Sequence, residues 1–254
     1  MGLMLRWTMD CGCSGVERVR QRIASARAVC VLTGAGVSAD SGVPTFRGAS
    51  GLWEGYRVED VATHDAFARD PAFVWRFYDE RRQQLMSLRP NAAHLALVVL
   101  EQHCSDLTIA TQNIDDLHHL AGSRRVLELH GNIWKARCTR CGAVADYREV
   151  PVKFPPACVR CGGMLRPHVV WFGESLDEVI IDATVEALSC CDVLLVIGTS
   201  GTVYPVAGFP AVARERGAFL VEVNPQRTPI SGLADVVLLG RANEVVPQMI
   251  SGGG

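Results

Sequence analysis

The sequence predicts an α/β fold: a doubly wound parallel sheet with a smaller lobe inserted into it. Three observations point there. Short apolar runs recur along the 254 residues, separated by segments with helical spacing. Strands that are apolar on both faces belong to parallel sheets covered by helices on both sides. Small or polar residues stand directly after several of these runs, at the strand ends where an open α/β sheet binds its ligand. Two stretches break the rhythm, one rich in aromatics and arginine, the other built around four cysteines.

In chain order, a helix over residues 15–26 leads into a buried strand at 28–32 (AVCVL). Residues 48–100 form the first interruption and contain a helix over 71–85. Further strands are expected at 107–111 (LTIAT), 126–129, 169–172, 193–197 (VLLVI), 219–223 and 236–239, with helices over 176–189 and 206–216. Residues 135–164 form the second interruption, with the proline-rich turn PVKFPPAC. The expected organisation is therefore a sheet domain of residues 1–47, 101–134 and 165–254. A helical module (48–100) and a cysteine module (135–164) together make the small lobe. The terminal SGGG reads as a tail.

A formal charge of −2 argues against a general polyanion binder, and no specific nucleic acid is expected. No apolar run approaches the roughly 18–20 residues of a membrane span. The N-terminal MGLMLRWTMDCGCSG lacks the length and flanks of a secretory signal. Gly2 is followed by Arg6 where a myristoylation signal has Ser or Thr. A cytoplasmic protein is the expectation, with a monomer as the default state.

Four of the ten cysteines fall as Cys138-x-x-Cys141 and Cys158-x-x-Cys161, sixteen residues apart. Each pair can sit on a tight turn with two sulfurs facing inward, and two such turns complete a tetrahedron around one zinc ion. Two disulfides would satisfy the same count but not a reducing compartment. Four thiolates leave no open coordination position, so this zinc is structural. Cys11, Cys13, Cys30, Cys104, Cys190 and Cys191 show no ligand spacing.

Gly34-Ala35-Gly36-Val-Ser38-Ala39 follows the first strand and matches a relaxed G-x-G-x-x-A dinucleotide fingerprint, although small residues also serve plain packing at such joints. Thr111-Gln112-Asn113-Ile114-Asp115 follows the second strand. Asn113 can bond ribose hydroxyls, and Asp115 can accept from an amide NH2, whereas Asp116 suits a capping role. His130 ends the third strand before Gly131 and can reach the cleft as a general base. Six other histidines (His64, His94, His103, His118, His119, His168) compete for that role. Gly198-Thr199-Ser200-Gly201 and Asn224 occupy two more strand ends suited to phosphate or ribose.

These motifs occur in the order seen in sirtuins: GAGVSADSGVPTFRG, TQNIDDLH, HG at His130, CxxC…CxxC, HVVWFGE and GTSGTVYP. The resemblance runs from about Val16 to Pro247 and is nearest the bacterial CobB type, in the branch that includes desuccinylases. It implies a Rossmann-like NAD-binding domain and NAD consumption in place of hydride transfer. The acyl-lysine oxygen attacks the ribose carbon that bears nicotinamide, and an O-alkylamidate forms. His130 then acts as base, and lysine and O-acyl-ADP-ribose are released.

The same resemblance implies that Asn113 orients ribose, Asp115 anchors the carboxamide and Phe46 shields the reacting face. Arg47, Gln112, Ile114 and Trp53 complete that end. Gly34, Ala35, Gly36, Ser38, Gly198, Thr199, Ser200, Asn224 and Ala242 hold the rest of NAD. Val170, Trp171, Phe172 and Gly173 on one side and Val203 on the other grip the substrate peptide as added strands. Asp40, where relatives carry other residues, is expected outside the chemistry.

Tyr78 and Arg81 stand three apart on the 71–85 helix and so share a face, where phenol and guanidinium can converge on one carboxylate. They match the branch that removes succinyl, malonyl and glutaryl groups. Ala62 fits the small residue that opens the acyl channel there. The partner implied is an acylated lysine side chain.

Three other readings compete. A dehydrogenase needs an acidic ribose reader about 20 residues past the glycines, but Glu54 and Glu59 lie in the aromatic insert. A non-catalytic zinc module leaves His130 and TQNID unexplained. ADP-ribosyl transfer or ADP-ribose binding uses the same cleft and is the nearest alternative.

Overall fold

A computed structural model gives the structure of residues 14–45, 52–53 and 55–250. Phe46 and Arg47, the N-terminal Cys11 and Cys13 and the terminal SGGG lie outside the described residues. Helix α1 (Gly15–Ser25) begins where Ser14 accepts the Glu17 N–H, and it buries Val19 and Ile23 one turn apart. Strand β1 (Ala28–Thr33) follows, then two single 3-10 turns at 35–37 and 39–41. A short hairpin of β2 (Leu52–Trp53) and β3 (Tyr56–Arg57) precedes α2 (Val58–Val61), α3 (His64–Arg69), α4 (Pro71–Met86) and α5 (Ala92–His103). Pro71 opens α4, where its missing N–H costs nothing, and the Asp70 carboxylate accepts the Phe73 N–H. The chain continues through β4 (Asp106–Thr111), α6 (Leu117–Ala121), β5 (Val126–Glu128), β6 (Gly131–Cys138), β7 (Val144–Asp146) and β8 (Leu165–Val169). It closes with α7 (Glu178–Cys190), β9 (Val193–Ile197), α8 (Phe209–Glu215), β10 (Phe219–Asn224), β11 (Val236–Leu239) and α9 (Ala242–Ile250).

Six of these strands form one parallel sheet in the order β11-β10-β9-β1-β4-β5. Alternate residues face opposite sides, as the pleat requires. Val29, Val31, Leu195 and Val221 pack with α1, α5 and α9, whereas Cys30, Leu32, Leu194 and Leu220 pack with α7 and α8. Both faces are therefore buried, which is why the strands read as unbroken apolar runs. No helix among the described residues is long and apolar enough to cross a membrane.

The small lobe is a second core. Strands β7, β6 and β8 form an antiparallel sheet, and helices α2 to α4 pack on it through Val61, Trp75, Phe77, Tyr78, Ile133 and Trp134. The two interrupting segments of the sequence thus fold against each other.

Two expectations need correction. The strand expected at 169–172 meets only the last residue of β8, Val169, which pairs antiparallel with β6 in the small sheet, and residues 170–172 lie beyond the strand. The apolar run at 169–172 resembled a buried strand, but it lies along the cleft wall and leaves Phe172 exposed. The helical segment 48–100 is not all small lobe. Ala93, Ala96, Leu97 and Leu100 of α5 pack against the large sheet.

Candidate active site

The sheet reverses its winding between β1 and β9. The chain passes from β1 toward β4 and β5 on one side, and later from β9 toward β10 and β11 on the other. The connections that follow β1 and β9 lead to helices on opposite faces of the sheet, α5 and α8, and a crevice opens there at the strand C-termini. That crevice is a cleft of about 1200 Å³ whose far wall comes from the small lobe.

The glycines of the first loop are required by a close backbone approach. Gly34 N–H donates to Ile197 O at 3.1 Å and Gly36 N–H to Gly198 O at 2.8 Å. A Cβ on Gly36 would lie 2.7 Å from Gly198 Cα. A Cβ on Gly198, whose φ is +63°, would lie 2.4 Å from Val37 N. Packing and ligand binding are therefore not alternatives here. The contact that fuses the two loops also leaves Gly34, Ala35, Gly36, Gly198, Thr199 and Ser200 lining the cleft. Such a floor of backbone and hydroxyls fits the phosphates and riboses of a dinucleotide.

His130 lies two residues past β5, and its Nδ1 is 3.0 Å from the Gln112 carbonyl oxygen. A carbonyl only accepts, so the neutral ring carries its proton on Nδ1 and leaves the Nε2 lone pair bare. Burial lowers its pKa below the ordinary histidine value, with the Gln112 hydrogen bond acting the other way. The ring borders the same cleft as Gln112, Asn113, Ile114 and Asp115.

Behind these groups lies a buried network not legible in the sequence. The Asn91 N–H donates to His94 Nδ1, so His94 Nε2 carries the proton toward Ser38 Oγ. Asn113 Nδ2 also donates to Ser38 Oγ, at 3.0 Å. With two donors aimed at it, the Ser38 hydroxyl turns its own hydrogen to the Asp115 carboxylate. Asp115 is pushed above the usual carboxylate range by burial, against hydrogen bonds from the Leu117 N–H and Ser38. Ser38 thus acts beneath the cleft and is itself fully buried. The carboxylate that caps α6 belongs to Asp115, which accepts the Leu117 N–H at 2.9 Å. Asp116, expected as the cap, instead accepts from Asn132, His119 and Arg148.

His118 does not border the main cleft. It is buried against Thr33 at 3.0 Å, and its pKa is lowered to about 3 by burial and by His94 and His119 nearby.

At the opposite end, Gln112 Nε2 donates to Thr199 Oγ1 (2.9 Å) and Asn224 Nδ2 to Thr199 O (2.7 Å). Asp40, expected outside the chemistry, borders the cleft and pairs with Arg241 at 2.9 Å. Ala242 is buried at the start of α9, and its neighbour Arg241 takes the place at the cleft wall. Trp53 pairs with Tyr56 through the backbone of the short hairpin.

The small-lobe wall carries Ala62, Tyr78 and Arg81 together with Val170, Trp171, Phe172 and Gly173. The Phe172 N–H donates to Ala62 O, and Trp171 Nε1 donates to the fully buried Tyr78 hydroxyl at 2.9 Å. Burial pushes the Tyr78 phenol above its ordinary pKa. The Arg81 guanidinium stacks 3.5 Å over Phe77 and donates to Phe77 O. Arg166 binds Glu174, which in turn accepts the Trp171 N–H and fixes the turn at 170–174. Across the mouth stands Val203. Glu174 closes the HVVWFGE motif, but its pairing with Arg166 gave no sequence signal, because it arises only when β8 packs beside that turn.

The sulfurs of Cys138, Cys141, Cys158 and Cys161 all lie within 4.8 Å of one another. The Cys138–Cys161 and Cys141–Cys158 separations are 3.5 and 3.8 Å. A disulfide needs about 2.05 Å, whereas a tetrahedron with metal–sulfur arms of about 2.3 Å has edges of roughly 3.8 Å. The donor set and its spacing fit zinc, and the small-lobe core includes Cys138, Cys158 and Cys161.

The Sir2 family profile matches residues 34–205. NAD-dependent protein deacylase 2 of Pyrobaculum aerophilum is 51% identical over 91% of this chain and 93% of its own length. The NAD-dependent protein deacylase of Aeropyrum pernix is 48% identical over 89% and 93%. Among solved structures, a Sir2 homologue in complex with NAD superposes with a TM-score of 0.86 at 43% identity, covering 92% of each chain. Sir2Af2 bound to a myristoylated histone peptide superposes at 0.73 with 33% identity, covering 93% and 94%.

Proposed function

The chain belongs to the Sir2 family, and from that premise we propose how its cleft carries out NAD-dependent protein deacylation. NAD is the co-substrate and supplies an electrophilic ribose carbon once bound. The glycine floor of Gly34, Gly36 and Gly198 takes the pyrophosphate, Asn224 and Thr199 the adenosine side, and Asn113 and Asp115 the nicotinamide-ribose side. Phe46 and Arg47 belong to the same assignment. The acyl-lysine peptide enters between residues 170–173 and Val203. His130 Nε2 removes a proton from a ribose hydroxyl. One observation carries this reading: a cleft histidine whose Nδ1–H is committed to the Gln112 carbonyl, leaving a bare Nε2 on a ring that lines the same cleft as Asn113.

Purified protein is expected to release nicotinamide from NAD only when an acyl-lysine peptide is present, with one lysine freed per nicotinamide. Nicotinamide release without the peptide would favour ADP-ribosyl transfer instead.

The acyl preference follows from the small-lobe wall. Arg81 pairs the carboxylate of succinyl, malonyl or glutaryl lysine, Tyr78 assists, and Ala62 leaves room for the chain, as in the desuccinylating CobB-type branch. Support comes from the three residues bordering one stretch of cleft, with Arg81 held by its stacking on Phe77. Guanidinium offers paired donors matched to a carboxylate. Removing one partner of a buried charge pair costs about 2–5 kcal/mol. Arg81→Met is therefore expected to lower kcat/KM for a succinyl peptide by roughly 30-fold or more. An acetyl peptide should lose far less, and equal losses on both peptides would remove the assignment.

A further inference from the structure

Glu222 is fully buried in β10, in a strand otherwise apolar from Phe219 to Val223. A buried carboxylate is a poor stability device, since an apolar side chain of similar volume serves a core as well. Its contacts suggest a different purpose. Thr228 Oγ1 and Ser231 Oγ each donate to one oxygen of Glu222. The same Thr228 oxygen accepts the Ile230 N–H at 3.1 Å, and the same Ser231 oxygen accepts the Thr228 N–H at 3.0 Å. An amide N–H can only donate, and each hydroxyl has one hydrogen. Both hydroxyl hydrogens must therefore point at Glu222. The carboxylate sets the direction of the capping box that closes the turn at 229–232.

That turn anchors a wall of the cleft. Pro225 to Pro229 border the cleft directly after Asn224. Glu222 stands two residues before Asn224 and so on the same face of the sheet. Ile230 also fills the space beside Gly201, where a Cβ would meet its side chain at 2.7 Å, so the turn braces the loop after β9. Glu222 itself does not border the cleft.

We propose that Glu222 is a positioning residue for the dinucleotide, holding the 224–232 loop so that Asn224 and its neighbours meet the adenosine half of NAD. The proposal rests on the reading of this cleft as the NAD site. In Glu222→Gln an amide replaces one acceptor, and a buried hydroxyl hydrogen loses its partner.

Steady-state kinetics with an acyl-lysine peptide, and calorimetric titration with ADP-ribose, test it. Glu222→Gln is expected to raise the KM for NAD and the Kd for ADP-ribose about ten-fold, with kcat within about two-fold and the peptide KM unchanged. Ser231→Ala should move both quantities in the same direction. Ser231→Thr, which keeps a hydroxyl, should stay near wild type. A lower melting temperature with unchanged NAD KM and ADP-ribose affinity would reduce Glu222 to a structural role and overturn the proposal. Should Glu222→Gln fail to fold, unchanged ADP-ribose affinity in Ser231→Ala overturns it equally. Wild-type protein that binds no ADP-ribose would overturn the assignment of the cleft, and this proposal with it.

Discussion

Replacing His130 by Ala is expected to lower kcat/KM for deacylation by roughly 10²–10⁴, the range that a positioned general base contributes. The fold and NAD affinity should survive, because His130 contributes a ring at the cleft edge and one hydrogen bond to a carbonyl. His118 cannot substitute. It is buried against Thr33 and does not border the main cleft. The wild-type pH profile carries a second signature of the same residue. Burial disfavours the imidazolium, so the folded pKa lies below the ordinary value of about 6.5. The neutral form is the working base, so activity rises with pH through that lowered pKa. The plateau should be reached at a lower pH than an exposed histidine would give. Loss of the acid limb in a slow but measurable His130→Ala variant would tie the limb to this residue. Near-wild-type activity in that variant would assign the base elsewhere.

Removing zinc is expected to melt the small lobe and abolish activity with it. One zinc per chain, held by Cys138, Cys141, Cys158 and Cys161, should be found by metal analysis of the purified protein. Structural zinc in finger peptides is worth about 10–16 kcal/mol apparent, as much as the whole net stability of about 5–15 kcal/mol for a typical domain. Cys138 and Cys158 share a core with Trp75, Trp134 and Trp171, so tryptophan fluorescence reports the collapse. The lobe also supplies Tyr78, Arg81, Ile133 and Trp171 to the cleft, which is why a non-catalytic metal should control catalysis. Cys158→Ser should reproduce the effect of a strong chelator. Full activity in metal-free protein would show that the lobe folds without it.

What could be read from the sequence was local in the chain. The apolar runs at β1, β4, β9, β10 and β11 identified a parallel sheet because burial on both faces leaves a direct mark on composition. The glycines at 34, 36 and 198 marked a close approach, since few other residues tolerate one. Four cysteines at metal spacing marked zinc, because the chemistry of the ion fixes ligand type and number. The family motifs, each a few contiguous residues, joined these into a sirtuin.

The tertiary structure decided whatever depended on partners distant in the chain. Residues 169–172 read as one more parallel strand, whereas only Val169 belongs to a strand, β8, paired antiparallel with β6. Helix α5 lies within the insert by sequence and against the large sheet in space. Asp115 and Asp116 are adjacent and chemically alike. Only the neighbours brought by packing give one the α6 cap and a site beside Ser38, and the other Arg148 of the small lobe. His130 could be singled out as a candidate from its strand end, but its proton was assigned only by the Gln112 carbonyl, eighteen residues earlier. Glu222 stood out only as a charge in an apolar strand, and its role was hidden because its two hydroxyl partners lie on the loop after that strand. Backbone conformation, metal ligation and burial are constraints that a residue meets with its immediate neighbours, so sequence records them. Hydrogen-bond direction and lobe assignment depend on what the rest of the chain brings alongside, and only the folded structure records that.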